Sequence, residues 1–200
     1  MNILYENNFA ILSGEKITPF KHYYKRNYEE YLIAYIKTER QSGRYDILPI
    51  VISEKLLDDN IKSAPYISVE GQIRTYNRAD GSLETYLFAK HIEVLETNTS
   101  TNIVKLTGYI CKKRKYRVTY TERRIMDFVL ACNRAYKKSD YIPIIAWGKD
   151  ANYINNNHIS TKLNITGRFQ SRKYIKKDKD GNKIDKYTYE ISASNILAVK

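Results

Sequence analysis

Cysteine, histidine and tryptophan are scarce in this chain. Cys111 and Cys132 form no CxxC pair, and His22, His91 and His158 are scattered. A zinc site or a nucleophile–His–acid triad therefore has nothing to build on. Free thiols in a reducing cytoplasm are the expected state. No apolar run approaches the ~18–20 residues a membrane helix needs, so no membrane contact is expected. The opening MNILYENNFAILSG lacks the basic-then-apolar layout of a secretory signal. Asp58, Asp59, Asp178 and Asp180 stand in loop or turn contexts, as caps and turn formers. No enzyme and no cofactor are expected from such a set.

Positive charge and tyrosine are abundant instead. The 200 residues carry a net charge of +12 and 19 Tyr. Residues 1–98 hold 12 Lys+Arg against 14 Asp+Glu, whereas residues 99–200 hold 22 against 8. Evenly solvated surface lysines would not segregate in this way. An excess confined to one half predicts an acidic partner there, nucleic acid first.

The chain also repeats itself. FAILSG (9–14) returns as IVKLTG (103–108), RYDILPIVISEK (44–55) as KSDYIPIIAWGK (138–149), and YISVEGQIRTY (66–76) as KLNITGRFQSR (162–172). Each series ends in a hairpin around a DG turn, Asp80-Gly81 and Asp180-Gly181, a strong turn signal between strands. Two domains are expected, 1–97 and 98–200, with the polar ETNTSTN (96–102) as linker. In the second half, strands are expected at Val104–Cys111, Arg124–Arg134, Tyr141–Trp147, Lys162–Tyr174 and Lys186–Val199, with a helix near Lys149–Asn156. Five mostly antiparallel strands with one short helix after the third is the OB-fold recipe. The fold class read from this pattern is all-β, two tandem OB-fold five-stranded barrels. Pro143 inside the third strand predicts an edge or a bulge there.

Residues in the second half combine bases and rings. In DYIPIIAWGK, Ile142, Ile144 and Ala146 share one face, and Tyr141 and Trp147 close the two ends of the other. Arg168, Gln170, Arg172 and Tyr174 share a face of the fourth strand, an alternation that suits phosphates and bases together. The hairpins CKKRKYRVTYTERR (111–124) and KYIKKDKDGNKIDK (173–186) are too charged to bury and long enough to reach a ligand. Tyr187 and Tyr189 in the last strand are read as packing residues.

VKLTGYICKK, DFVLACNRAYKKSDYIPIIAWGK and LNITGRFQSRKY followed by DGNKIDKYTYEI, in that order, resemble the bacterial single-stranded DNA-binding proteins (SSB). The likeness spans almost all of 103–199. The first half resembles the same family only through ILPIVISEKL and ISVEGQIRT, as a diverged copy. In that family single-stranded DNA wraps over the OB sheet and stacks on a few rings. The resemblance places those rings at Tyr136, Tyr141, Trp147 and Tyr174. With the neighbouring cations Lys112, Lys113, Arg114, Arg117, Lys137, Lys138, Arg168, Arg172, Lys173, Lys176 and Lys177 they form the candidate nucleic-acid site.

The first half departs from this set. Ser42, Ile47 and Ser53 stand where Tyr136, Tyr141 and Trp147 stand in the second, leaving Tyr76, with Arg74 and Arg78, as the plausible platform. PFKHYYKRNYEE (19–30) adds basic and aromatic residues within reach of DNA, but a structural or pairing role is the main expectation. The chain stops at SNILAVK, so recruitment through the acidic tail of family members is not expected. The family commonly assembles four OB domains, which implies a homodimer here. The function so implied is sequence-independent binding and protection of single-stranded DNA, in replication, recombination or plasmid or phage DNA transfer. The rivals are a primosome or conjugation assembly factor with little affinity for single strands, and an RNA-binding OB protein.

Overall fold

A computed structural model describes residues 7–134, 138–177 and 181–199. The first half runs β1 (Asn8–Lys16), β2 (Lys21–Arg26), β3 (Glu29–Glu39), β4 (Tyr45–Ser53), α1 (Asp59–Ser63), β5 (Tyr66–Asn77) and β6 (Leu83–Val94). The second runs β7 (Thr101–Val118), β8 (Arg124–Asn133), β9 (Ser139–Trp147), α2 (Gly148–Asn156), β10 (Lys162–Lys177) and β11 (Lys183–Ala198). In each half the ladder returns to its starting strand. β7 pairs with β8, β8 with β9, β9 with β11, β11 with β10 and β10 with β7. β1, β3, β4, β6 and β5 close in the same way. Two OB folds are thus present, all-β apart from short helices.

Period-two burial builds each interior. Ile142, Ile144 and Ala146 of β9 are fully or nearly fully buried, as are Leu48, Ile50 and Ile52 of β4. The shared glycines Gly71 and Gly167 follow bulges in β5 and β10. A Cβ at either would press into the carbonyl of Phe88 or Ser192, well inside contact distance. The Asp80-Gly81 turn forms with Gly81 at φ +76°; Asp180 lies outside the described residues.

Two expectations need correction. β7 runs on to Val118 rather than ending at Cys111, because residues 112–118 stay paired with β8 across two bulges. No bulge marks Pro143 in the β8–β9 ladder, nor is β9 a sheet edge. Its parallel ladder with β11 covers only Ile144 and Ile145, so at Pro143 the strand has a partner on one side and the missing N–H costs no bond.

One antiparallel ladder, Asn8↔Leu106 through Ser13↔Thr101, joins the halves into a single 11-stranded sheet. A pseudo-two-fold relates what surrounds it. Asn8 exchanges two bonds with the Ile73 backbone (2.7 and 2.9 Å), and Asn102 does the same with Phe169 (2.7 and 2.8 Å). Asp140, buried beside Arg134 (2.5 Å), accepts from the Thr75 backbone N–H across the seam at 2.8 Å. Asp46, buried beside Arg40 (2.6 Å), accepts from the Ser171 N–H at 2.9 Å. The expected linker is pinned as well: Thr101 N–H donates to Ser13 Oγ and Glu39 N–H to Ser100 Oγ.

Removing one member of a buried ion pair strands the other, at about 3–5 kcal/mol. Asp140→Ala is expected to lower unfolding stability by that order in urea titration. A loss below about 1 kcal/mol would mean that water hydrates Arg134 at the seam.

Candidate nucleic-acid interface

β9 crosses the second barrel with its apolar face inward, so the other face supplies what solvent meets. Tyr141 is 49% exposed and Trp147 37%. Six residues at about 3.3 Å each separate them by roughly 20 Å. The Trp147 indole N–H donates to Ser192 Oγ of β11 at 3.0 Å, which fixes the ring plane. Around it opens a groove of about 890 Å³ lined by Val118, Arg123, Arg124, Lys149 and Asn152, among others. A ring in a groove with three cations against one carboxylate, Glu122, suits a base with its phosphates. Arg123 and Arg124 lie inside the hairpin 111–124, and Lys149 closes DYIPIIAWGK, yet none of the three was among the named candidates.

At its other end β9 reaches the seam, where the Tyr141 N–H donates to Thr75 Oγ1 at 3.0 Å. A second groove of about 580 Å³ lies there, with walls from both halves. Arg114, Pro143, Arg172, Tyr174 and Tyr187 line one side, and Arg78, Tyr23 and Tyr86 the other. Tyr174 is 41% exposed and Tyr187 57%. The expectation that Tyr187 packs is therefore corrected, because the β10–β11 hairpin has outrun the barrel by that point and has no core beneath it. Tyr189, nearer the barrel, does pack, with its ring 5.9 Å from Phe169. Burial pushes the Tyr86 hydroxyl up to about 12, so it stays protonated.

The basic candidates divide by what already holds them. Lys112, Arg114 and Lys138 are exposed. Lys113 donates to the Asn155 carbonyl of α2 at 2.7 Å, and Tyr116 to Asn152 Oδ1 at 2.8 Å. Arg117 pairs with Asp127, Arg172 with Glu190 at 3.4 Å, and Lys173 with Asp185 at 2.7 Å. Arg168 is half-buried at the seam and donates to Gln170 Oε1 at 3.2 Å. Burial, and then the neighbouring Arg40, holds its guanidinium below the usual value. Tyr136, Lys137 and the side chains of Lys176 and Lys177 lie outside the described residues.

In the first half Tyr76 is exposed, but Arg78 is tied to Glu84 and Arg74 lies 4.3 Å over the Phe88 ring. The β2–β3 hairpin folds Tyr23, Tyr24 and Tyr31 onto Val51, Tyr86 and Phe88 as a separate small cluster.

The model of the single-strand binding protein family matches residues 101–199. Single-stranded DNA-binding protein 3 of Clostridium acetobutylicum is 35% identical over 102 residues, covering 48% of this chain and 68% of that protein. The single-stranded DNA-binding protein of Clostridium tetani is 34% identical over 102 residues, with the same coverage. The crystal structure of the wild-type single-stranded DNA binding protein from Thermus aquaticus superposes with a TM-score of 0.74. It is 16% identical, over 96% of this chain and 93% of that one, a likeness of fold across both halves.

A tryptophan at one third exposure is reachable by small quenchers. Acrylamide is expected to quench Trp147 emission in the folded protein. Emission that responds only after unfolding would place the ring in the core.

Proposed function

The chain belongs to the single-strand binding protein family, and we propose that it binds single-stranded DNA without reading sequence, through its second half. The observation that carries this is the outward face of β9, with Tyr141 exposed at the seam and Trp147 in a groove with Arg123, Arg124 and Lys149. Stacking contributes about 1–3 kcal/mol per base and is tolerant of base identity. Duplex DNA hides the base faces, so it binds far less well. The protein acts as a binding module, coating single strands in replication, recombination or plasmid or phage transfer.

Trp147 is the single tryptophan, so its emission reports one place. Titration with oligo-dT is expected to quench it and to saturate at a defined number of nucleotides. With about 5–6 phosphates neutralised, log K falls by roughly 4 per decade of salt. Binding without quenching would move the site to the hairpins. No binding would favour an assembly factor, and tighter binding to oligo-rU than to oligo-dT an RNA partner.

We extend the reading to a homodimer holding four OB modules. Ile11 and Ile103 face each other on the outer side of the β1–β7 ladder, Ile103 exposed, with Leu197 exposed further out. Sedimentation is expected to show a dimer that Ile103→Glu converts to monomer. A monomeric native protein would refute this.

A further inference from the structure

The two halves treat one rung of the barrel differently. In the second half Trp147 of β9 stands opposite Ile125 of β8. In the first, Ser53 occupies the Trp147 position and Tyr31 of β3 stands opposite it. The ring has crossed to the facing strand. A second exchange accompanies it: Ser192 pairs with Ile145 and Phe88 with Val51, which makes Phe88 the counterpart of Ser192. Trp147 beside Ser192 in one half becomes Ser53 beside Phe88 in the other.

These rings border a groove of about 240 Å³ lined by Glu29, Tyr31, Ser53, Lys55, Phe88 and Lys90, among others. It occupies the place on the first barrel that the Trp147 groove occupies on the second. Tyr24 and Tyr31 stack at 4.7 Å and 20°, and Tyr31 lies 5.7 Å from Phe88. Tyr31 is half-buried, so part of its ring faces the groove. Lys90 stands 5.0 Å from the centre of the Phe88 ring. The only carboxylate in the wall is Glu29, engaged by Ser53 at 2.5 Å and by Lys55 at 3.5 Å. Lys90 is then the charge left over, so the groove is locally cationic although its half carries more acids than bases.

We propose that the first half holds a second base-stacking subsite for single-stranded DNA, with the open part of the Tyr31 ring as platform, the buried Phe88 as its backing and Lys90 as phosphate contact. The subsite rests on the reading of the second half as a single-strand site. The chain then grips one strand at two places.

The test compares oligo-dT of about 30 nucleotides, enough for two OB modules at up to roughly 16 each, with oligo-dT of about 8. Tyr31→Leu is expected to weaken binding of the long oligomer roughly 5- to 150-fold, the range for one lost stacking contact. It should leave the short oligomer and its quenching of Trp147 unchanged. Unchanged affinity for the long oligomer overturns the subsite. A second variant, Tyr31→Trp with Trp147→Phe, puts the reporter in the first half, with binding followed separately by anisotropy of labelled dT. Quenching of the new indole is expected. An unquenched indole with dT bound overturns the subsite while sparing the site on the second half. No dT binding by the native protein removes both.

Discussion

The reciprocal carboxylates at the seam hold the molecule to one arrangement. Asp46 and Asp140 are fully buried, and each reaches out of its own barrel to a backbone N–H of the other. Each is charge-balanced at home, by Arg40 and Arg134. A buried carboxylate tolerates little displacement, because its charge is costly without a full set of donors. The two long hairpins, β5–β6 and β10–β11, are therefore tied at their roots to the opposite barrel. Everything at the seam inherits that tie: the start of β9, the position of Tyr141, and the groove that Tyr174 and Tyr187 share with Tyr86.

On this common frame the halves are furnished differently. The second leaves its outward rings apart and surrounds Trp147 with cations. The first gathers its rings into a cluster over Val51, where Arg74 and Lys90 flank Phe88. Net charge follows the same division. Counting acids and bases across residues 1–98 nevertheless hides the local arrangement, because Glu29 is occupied by its neighbours.

Much of the fold was legible in the sequence. The spaced glycines and prolines mark the repeat because a bulge or a close backbone approach tolerates little else, as at Gly71 and Gly167. Alternation set Tyr141 and Trp147 on one face of β9, and the family resemblance turned that face outward. Residues whose surroundings come from another strand were not legible. Tyr31, just past the hairpin 19–30, carried no signal of its own, since only the β3–β4 register sets it opposite Ser53. Arg168 shared a face with Arg172, yet the facing barrel draws one into the seam and leaves the other in solvent. Tyr187 and Tyr189 share a strand face but differ in what lies beneath.

The ladder between β1 and β7 joins two parts of one chain, linked by the few residues between Val94 and Thr101. Two separate chains paired in this way would part on dilution. Here the partner is held at an effective concentration of the order of millimolar or above, whatever the amount of protein. The pairing is a unimolecular equilibrium, indifferent to expression level. In a symmetric pair of identical chains every substitution is made twice. In this chain it is made once, so one side of the axis can change while its mate stays as it was.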